Sequence, residues 1–547
     1  MTIASLVMQW ALILVITLSS WLYFRRRLVN STLNNLPGPP CQSFWKGNLD
    51  QFFNRHASEF HKEVTQNYGA IVKMQGIFGK PMLYVYDPKA LHTIVVKQQD
   101  IFEKAESTVR LVTLLFGPGV LATLGETHRA QRKMLNPAFS INHMRDMLPI
   151  FYNIVHKLRD AIATRVSDGP QEVDMLGWMG RTALELIGQG GLGYSFDPLV
   201  EDKADAYGEA IKAIIPALIT IHVFRELLPY IGWIGPAWFR RRVVEVFPNK
   251  QVQKLKSIVD TMATRSVEIF EAKKAALDQG DEVLAQQVGE GKDIMSLLIR
   301  ANRASSLEDK LPEDQLIAQM SSLIFAGMDT TSNALSRTLH ILAQRPDVQE
   351  RLRDEIIEAG HGDNISYDEL VSLPYLDAVC RETLRLDPTA PLPTRQPNKD
   401  VVLPLSEPIR GIDGKMMSEI LVPKGTMVIP GVLGSNINKT FWGEDALEWK
   451  PERWLFPLPS AVTDAPIPGV YSPLMTFFGG SRSCIGFKFS QLEMKVVLSV
   501  FLSNFTFELT EKPIEWNVAT VRYPTVGKES NVSQMPLKVG LLKRVRD

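Results

Sequence analysis

From residue 146 to about 349, apolar side chains return every three or four positions, as in DMLPIFYNIVHKLRDAIATRV. That is the period of one buried face of an α-helix, so the centre of the chain must be built from packed helices. A polar stretch at 277–292 carries Gly280, Gly289 and Gly291 and reads as a surface loop between two helical runs. On either side the pattern changes. AIVKMQG (70–76) and MLYVYD (82–87) alternate β-branched or aromatic with other residues, as strands do. After Leu386 prolines multiply and short strands return, before a last helix at about 487–502. The fold class expected is mainly α with minor β, without an internal repeat. With 45% hydrophobic and 22% charged residues over 547 positions, one large core can be buried.

No charged residue occurs between Thr2 and Phe24, and the run ALILVITLSSWLYF ends in Arg25, Arg26 and Arg27. About 20 apolar residues suffice to cross a bilayer, and a basic cluster just after them stays cytosolic. A cleaved secretory signal would carry its positive charge first. The expected organisation is therefore a single-pass anchor and basic linker at 1–36, spanning about 4–24, and a cytosolic body at 37–547. Leu36-Pro37-Gly38-Pro39-Pro40 is a stiff hinge between them. Cytosolic placement makes the five N-x-S/T sequons chance matches. Residues 214–243 are apolar and aromatic but broken by prolines. They fit either core or a second patch at the membrane interface, with Trp233 and Trp238 at headgroup depth and Arg240 to Arg242 facing phosphates.

Lys plus Arg equals Asp plus Glu at 60 each, which disfavours nucleic-acid binding. Three cysteines, Cys41, Cys380 and Cys484, cannot form a disulfide framework, in keeping with a reducing compartment. Gly188, Gly190 and Gly193 fit G-x-G-x-x-G on paper. A dinucleotide site needs a strand before that motif and a helix after it. Here a helical pattern, TALELIG, precedes it and a turn, YSFDP, follows, so the glycines end a helix.

Near the C-terminus stands Phe477-Phe-Gly-Gly480-Ser-Arg482-Ser-Cys484-Ile-Gly486. It resembles the F-x-x-G-x-R-x-C-x-G signature of the cytochrome P450 family, with every specified position filled. The resemblance implies haem b with Cys484 as the axial thiolate ligand to iron. A thiolate donates the electron density that favours O–O cleavage. By the same likeness Phe477 shields the sulfur, Gly480 permits a tight turn that aims backbone N–H groups at it, and Gly486 lets the next helix approach the ring. Arg482 pairs with a haem propionate.

Ala326-Gly327-Met-Asp329-Thr330-Thr331 lies within an apolar helical run and resembles the family's oxygen-groove segment. That likeness implies a helix ladder opened locally at Ala326 and Gly327, Thr330 steadying bound dioxygen and Asp329 as first station of a proton relay. Mid-helix threonines also bond backward to carbonyls without any such role. Glu382 and Arg385 fit the family's E-x-x-R, and Arg453 in Pro451-Glu-Arg453-Trp454 fits its P-E-R-F with tryptophan for phenylalanine. The implied triad is structural. His128 and Arg132 resemble a W-x-x-x-R propionate helix, with histidine where tryptophan is usual, and Arg395 fits the remaining propionate arginine. Arg129, Lys133 and Lys488 offer either a basic reductase patch or a solvated helix face.

The likeness runs from the anchor to the last helix and is closest to the eukaryotic microsomal class of fungi. It implies an endoplasmic-reticulum monooxygenase of secondary metabolism or xenobiotic oxidation. Electrons come from NADPH through NADPH-cytochrome reductase, with cytochrome b5 as an optional second donor. One atom of O2 enters a lipophilic substrate, by default as a hydroxyl. The aliphatic stretches 109–124 and 323–326 suit a terpenoid, steroid, fatty acid or aromatic. An oxygen-independent isomerase or dehydratase would have little need of the acid-threonine pair; the alternative from another class is a non-catalytic haem carrier or sensor in the membrane.

Overall fold

The computed structural model describes residues 10–542, apart from 11–12, 22–31, 44, 198, 200–205, 213, 215–233, 281, 284–287, 307, 361–363 and 472. Two N-terminal strands, β1 (Ile71–Gln75) and β2 (Pro81–Val85), pair antiparallel with Ile71 opposite Val85. They match the alternating stretches of the sequence. The main helices follow: α1 (Glu106–Phe116), α2 (Gly125–Leu135), α3 (Ile141–Arg165) and, after strand β3 (Gln171–Asp174), α4 (Met175–Leu186). Next come α5 (Lys250–Gln279), α6 (Glu313–Gln344) and α7 (Pro374–Leu386). Strand β4 (Met427–Pro430) adds in parallel to β2, then α8 (Phe487–Leu502) precedes β5 (Phe505–Leu509) and β6 (Pro536–Leu541). Strand β6 lies between β3 and β5.

The 32-residue α6 is the axis of the molecule. Leu316, Met320, Ile324, Leu335, Leu339 and Leu342 are buried along it, and α4, α5, α7 and α8 pack around it. Helix α3 shows how the sequence period becomes packing. Met144, Met147, Phe151, Ile154, Leu158 and Ile162 are all fully buried, and Phe151 meets Phe489 of α8 edge to face at 4.8 Å. Ser140 caps this helix by accepting the His143 N–H.

The glycine-rich segment does end a helix. Past α4 the chain widens into a π-type turn, Ile187–Leu192, and stops at Gly193, whose φ is 61° and whose N–H donates to Gln189 O. The polar stretch after it is shorter than its composition indicates. Ala276 is buried and Leu277 packs against the core, so α5 continues to Gln279 and the loop begins at Gly280. Its far end is not all surface either, since Gly289 and Gly291 are buried and a buried ion pair adjoins it. Asp293, fully buried, pairs with buried Lys273 at 2.9 Å and caps the helix Ile294–Ala304 by accepting Ser296 N–H.

The residues from Ile13 to Trp21 are helical and exposed, whereas Arg25 to Arg27 lie outside the described residues. Among the described residues no helix is long and apolar enough to cross a membrane. Most of 214–243, including Trp233, is likewise outside them. At its end Trp238 is 69% exposed, which excludes the core reading for that residue. Arg241 pairs with Asp260 at 2.6 Å and Arg240 donates to Gly235 O, so these two arginines are engaged within the protein.

At Gly193 a Cβ would sit 2.1 Å from Lys273 Nζ and 2.6 Å from Asp293 Oδ2. Gly193→Ala therefore adds left-handed strain, about 1–2 kcal/mol, to disruption of a buried ion pair. The thermal unfolding midpoint should fall by at least several degrees; an unchanged midpoint would refute this packing.

Candidate active site

The ten-residue cysteine segment is folded back on itself by Cys484 N–H donating to Phe477 O at 2.8 Å. Gly480, with φ 62°, allows it to lie against the preceding wall: a Cβ there would fall 2.0 Å from Val95 O. The amide aimed at the sulfur is that of Gly486, so Gly480 serves packing more than sulfur contact. At Gly486 a Cβ would meet only Phe139, at 3.8 Å, which leaves open room at the start of α8. Phe477 is fixed by Tyr471, edge-on at 5.6 Å, and by Phe487 at 6.2 Å. Cys484 carries exposed surface, yet burial raises its thiol pKa, with the Gly486 N–H and the Arg132 guanidinium opposing. Both hold if the sulfur opens onto internal space rather than bulk solvent.

Cations crowd the same region. Arg395 is 7% exposed, stacks 4.6 Å over Phe478 and is lowered to a pKa of about 10 by burial and then by Arg482. His128, on α2, is buried and lowered to about 3 by desolvation and by Arg482, Arg132, Lys104 and Arg129. Arg132 donates to Ser483 O at 2.7 Å, tying α2 to the cysteine segment. Lys104, which the sequence reading passed over, donates to Leu121 O and is lowered to about 7 by burial, Arg482 and Arg395. Only its place two residues ahead of α1 could have flagged it. Buried Arg482 Nη1 has no hydrogen-bond partner, and Asp100 and Glu103 offset only part of the surrounding charge. Such a cluster is costly without anions. The two carboxylates of a haem would answer it, and guanidinium forks suit carboxylates well. The residues present thus fit the group, with Arg482, Arg395, Arg132, Lys104 and His128 able to hold its propionates and Cys484 its iron.

On α6, Ala326 is exposed although the helix runs through the core, so this turn faces interior space. The helix stays continuous here, contrary to the expected local opening. The Thr330 hydroxyl donates to Ala326 O at 2.7 Å, and Gly327 lets α6 press on Ile187, where a Cβ would be 3.2 Å from Ile187 Cγ1. Close helix packing, rather than a broken ladder, is what that glycine provides. Asp329 is raised to a pKa of about 6 by burial, with Lys212 opposing.

The structure brings Glu382, Arg385 and Arg453 together. Arg385 grips Glu382 with two bonds of 2.8 Å while donating to the carbonyls of Asn436, Ala446 and Glu448. Arg453 Nε reaches Glu382 at 3.5 Å and its other nitrogens hold Asp445 and Trp442 O. The tryptophan departure has a use: Trp454 Nε1 donates to Glu382 Oε2 at 2.9 Å, which phenylalanine could not do. Asn436, unremarked in the sequence, passes this order onward. It accepts Met475 N–H and donates to Arg385 O and to Thr476 Oγ1, at the head of the cysteine segment. The basic patch is thinner than expected, because Arg129 is paired with Glu126 and Asp100. A pocket of about 650 Å³ between α2 and Gly480-Ser481 is edged by Arg129, Arg132 and Lys133.

Residues 37–522 match the cytochrome P450 family. A cytochrome P450 monooxygenase of Postia placenta is 60% identical over 520 residues, covering 95% of each chain. A ganoderic acid synthetase of Ganoderma lucidum is 51% identical over 528 residues, 95% of this chain and 96% of its own. A cytochrome P450 monooxygenase of Hericium erinaceus is 38% identical over 543 residues, 97% of each.

The raised Asp329 pKa has a stability consequence. Between the model-compound value of 3.8 and about 6 the folded chain binds more protons than the unfolded one, so Asp329 lowers stability as pH rises across that window. Asp329→Asn should therefore gain stability relative to the parent from about pH 4 to 6 and hold that gain above. Denaturant unfolding at a series of pH values checks this, and a pH-independent difference would contradict it.

Proposed function

The chain is a cytochrome P450 monooxygenase of the fungal type, and on that premise we propose that it hydroxylates a lipophilic small molecule, a terpenoid foremost, with electrons from NADPH delivered by a reductase. The observation that carries the site assignment is the accessible but desolvated thiol of Cys484 beside a cation cluster in which the buried Arg482 Nη1 has no hydrogen-bond partner. Haem bound there supplies oxygen activation, and its cysteine thiolate supplies the electron density for O–O cleavage. The protein's part is to hold and to protonate. Arg482, Arg395, Arg132, Lys104 and His128 hold the propionates; Gly486 N–H tempers the sulfur. Thr330 Oγ1, resting on Ala326 O, is a hydroxyl poised beside the interior space. Asp329, near neutral pH exchanging between acid and carboxylate, feeds it protons.

The terpenoid preference rests on the ganoderic acid synthetase relative and on an apolar roof, where Phe116 of α1 meets Phe325 of α6 at 4.5 Å. Buried Leu115 and Leu323 extend that roof. Of the basic patch, Lys133, at the edge of the pocket between α2 and Gly480-Ser481, and Lys488 remain to offer the reductase a basic contact. The apolar run at 4–24 with Arg25 to Arg27 supports attachment to the endoplasmic reticulum membrane, the body remaining cytosolic. The carrier or sensor alternative has no support among the relatives, which are named as enzymes.

Cys484→Ala should abolish the red-shifted Soret band of the reduced carbonyl complex, and an unchanged band would overturn the ligand assignment. Thr330→Ala should retain haem but divert most NADPH electrons to hydrogen peroxide, because a proton-transfer group is lost. Unaltered product per NADPH would remove Thr330 from the relay. Coexpression with a reductase and product analysis over a panel of terpenoids, steroids, fatty acids and aromatics tests the substrate class.

A further inference from the structure

Two buried glutamines that the reaction does not use meet over residues 117–124, the loop that joins α1 to α2. Gln131 of α2 and Gln319 of α6 are both fully buried. Gln131 Nε2 donates to Pro118 O at 2.9 Å and to Gln315 Oε1 at 2.8 Å, and its Oε1 accepts the Thr123 hydroxyl at 2.9 Å. Gln319 accepts the Val120 N–H at 3.0 Å and donates to Gln315 O, one turn back on its own helix, at 3.0 Å. Two helices thus stitch the loop at Pro118, Val120 and Thr123. Connecting segments usually run over the surface, where water satisfies their backbone. This one is drawn inward: Gly119, Val120 and Ala122 are buried, and a Cβ at Gly119 would lie 2.6 Å from Ser322 Oγ and 2.8 Å from Ala318 O of α6.

The course of the loop gives the stitching a purpose. It leaves from Phe116, whose ring meets Phe325 in the apolar roof. At its middle Leu121 O accepts from Lys104 of the cation cluster. It therefore spans from the roof to the edge where the haem carboxylates would be held, with Leu121 and Leu124 only half-buried along it. Such a span forms one wall of the interior space beside Ala326.

We propose that Gln131 and Gln319 are positioning residues that latch this wall, so that the space meets a bulky lipophilic ligand already shaped. This rests on the reading of the space beside Ala326 as the substrate chamber. A wall that had to be ordered at each binding would weaken every ligand that touches it and leave a small ligand that does not reach it unaffected. The hydrogen bonds also dictate which replacements suffice. A buried glutamic acid, kept protonated, offers one O–H donor and one acceptor. Gln319 makes one bond of each kind, so Gln319→Glu can restore both. Gln131 needs two donors, so Gln131→Glu cannot.

The test uses haem-loaded protein and two azoles that ligate haem iron through nitrogen: imidazole, which is small, and clotrimazole, which is bulky and apolar. In Gln319→Met and Gln131→Leu, haem content and imidazole affinity should stay native. Hydrogen exchange within 117–124 should quicken, and clotrimazole affinity, read from the Soret shift, should fall about ten-fold, the effect of having to fix one backbone residue. Gln319→Glu should recover that affinity and Gln131→Glu should not. A native ratio of the two affinities in both Q319M and Q131L would overturn the proposal even with faster exchange, since the glutamines would then serve the loop alone. Loss of haem in both variants would overturn it too, by marking a role in the haem site. If the parent binds imidazole but shows no shift with clotrimazole, the chamber reading itself fails, and the wall with it.

Discussion

The buried pairing of Glu382 with Arg385 is the contact on which the cysteine segment depends, because it converts one turn of helix into a fixed frame for three distant stretches of chain. As an exposed pair at this spacing it would contribute only a few tenths of a kcal/mol. Fully buried, with both carboxylate oxygens gripped and the guanidinium committed to three carbonyls, it cannot lose a member without stranding a charge, at about 3–5 kcal/mol. Arg453 and Trp454 bring a second stretch onto the same carboxylate. Asn436 then relays the position of Arg385 to Met475 and Thr476. The ligand cysteine is thus placed by a polar lattice in addition to the aromatic contacts of Phe477.

That rigidity matters because the site itself is electrostatically unfinished. Five basic groups converge on one region, each made less basic by burial or by the others. Protein carboxylates nearby are few, and the interior cannot relax away from the charge while the triad and the α2 contact to Ser483 hold the walls. A dianionic group completes such a site and stabilises the folded chain in proportion to its affinity.

Much of this was legible in the sequence where chemistry demands particular residues at short spacing. The cysteine decapeptide, the Glu382 and Arg385 pair and the last helix at 487–502 all stand where local pattern puts them. Long-range partnerships were not legible. Lys104 joins the cluster only because its segment folds against Arg482 and Arg395, and Asn436 matters only through residues remote in sequence. The loop at 277–292 was overdrawn for a related reason. Composition marks Gly289 as loop, but it is buried because its backbone packs against Gln189 O and Gly193, remote in sequence. The expected break in α6 failed because Thr330 can satisfy the Ala326 carbonyl without disturbing the ladder, and Gly327 is needed for contact with Ile187.

Desolvation also orders the protons. Asp329, moderated by Lys212, sits at about 6 and can reload near neutral pH. A carboxyl desolvated in this way is a weaker acid than one in water, and ionising it costs stability. In the proposed reading, the same desolvation that burdens the fold at Asp329 is what lets it hold a proton for Thr330 near neutral pH.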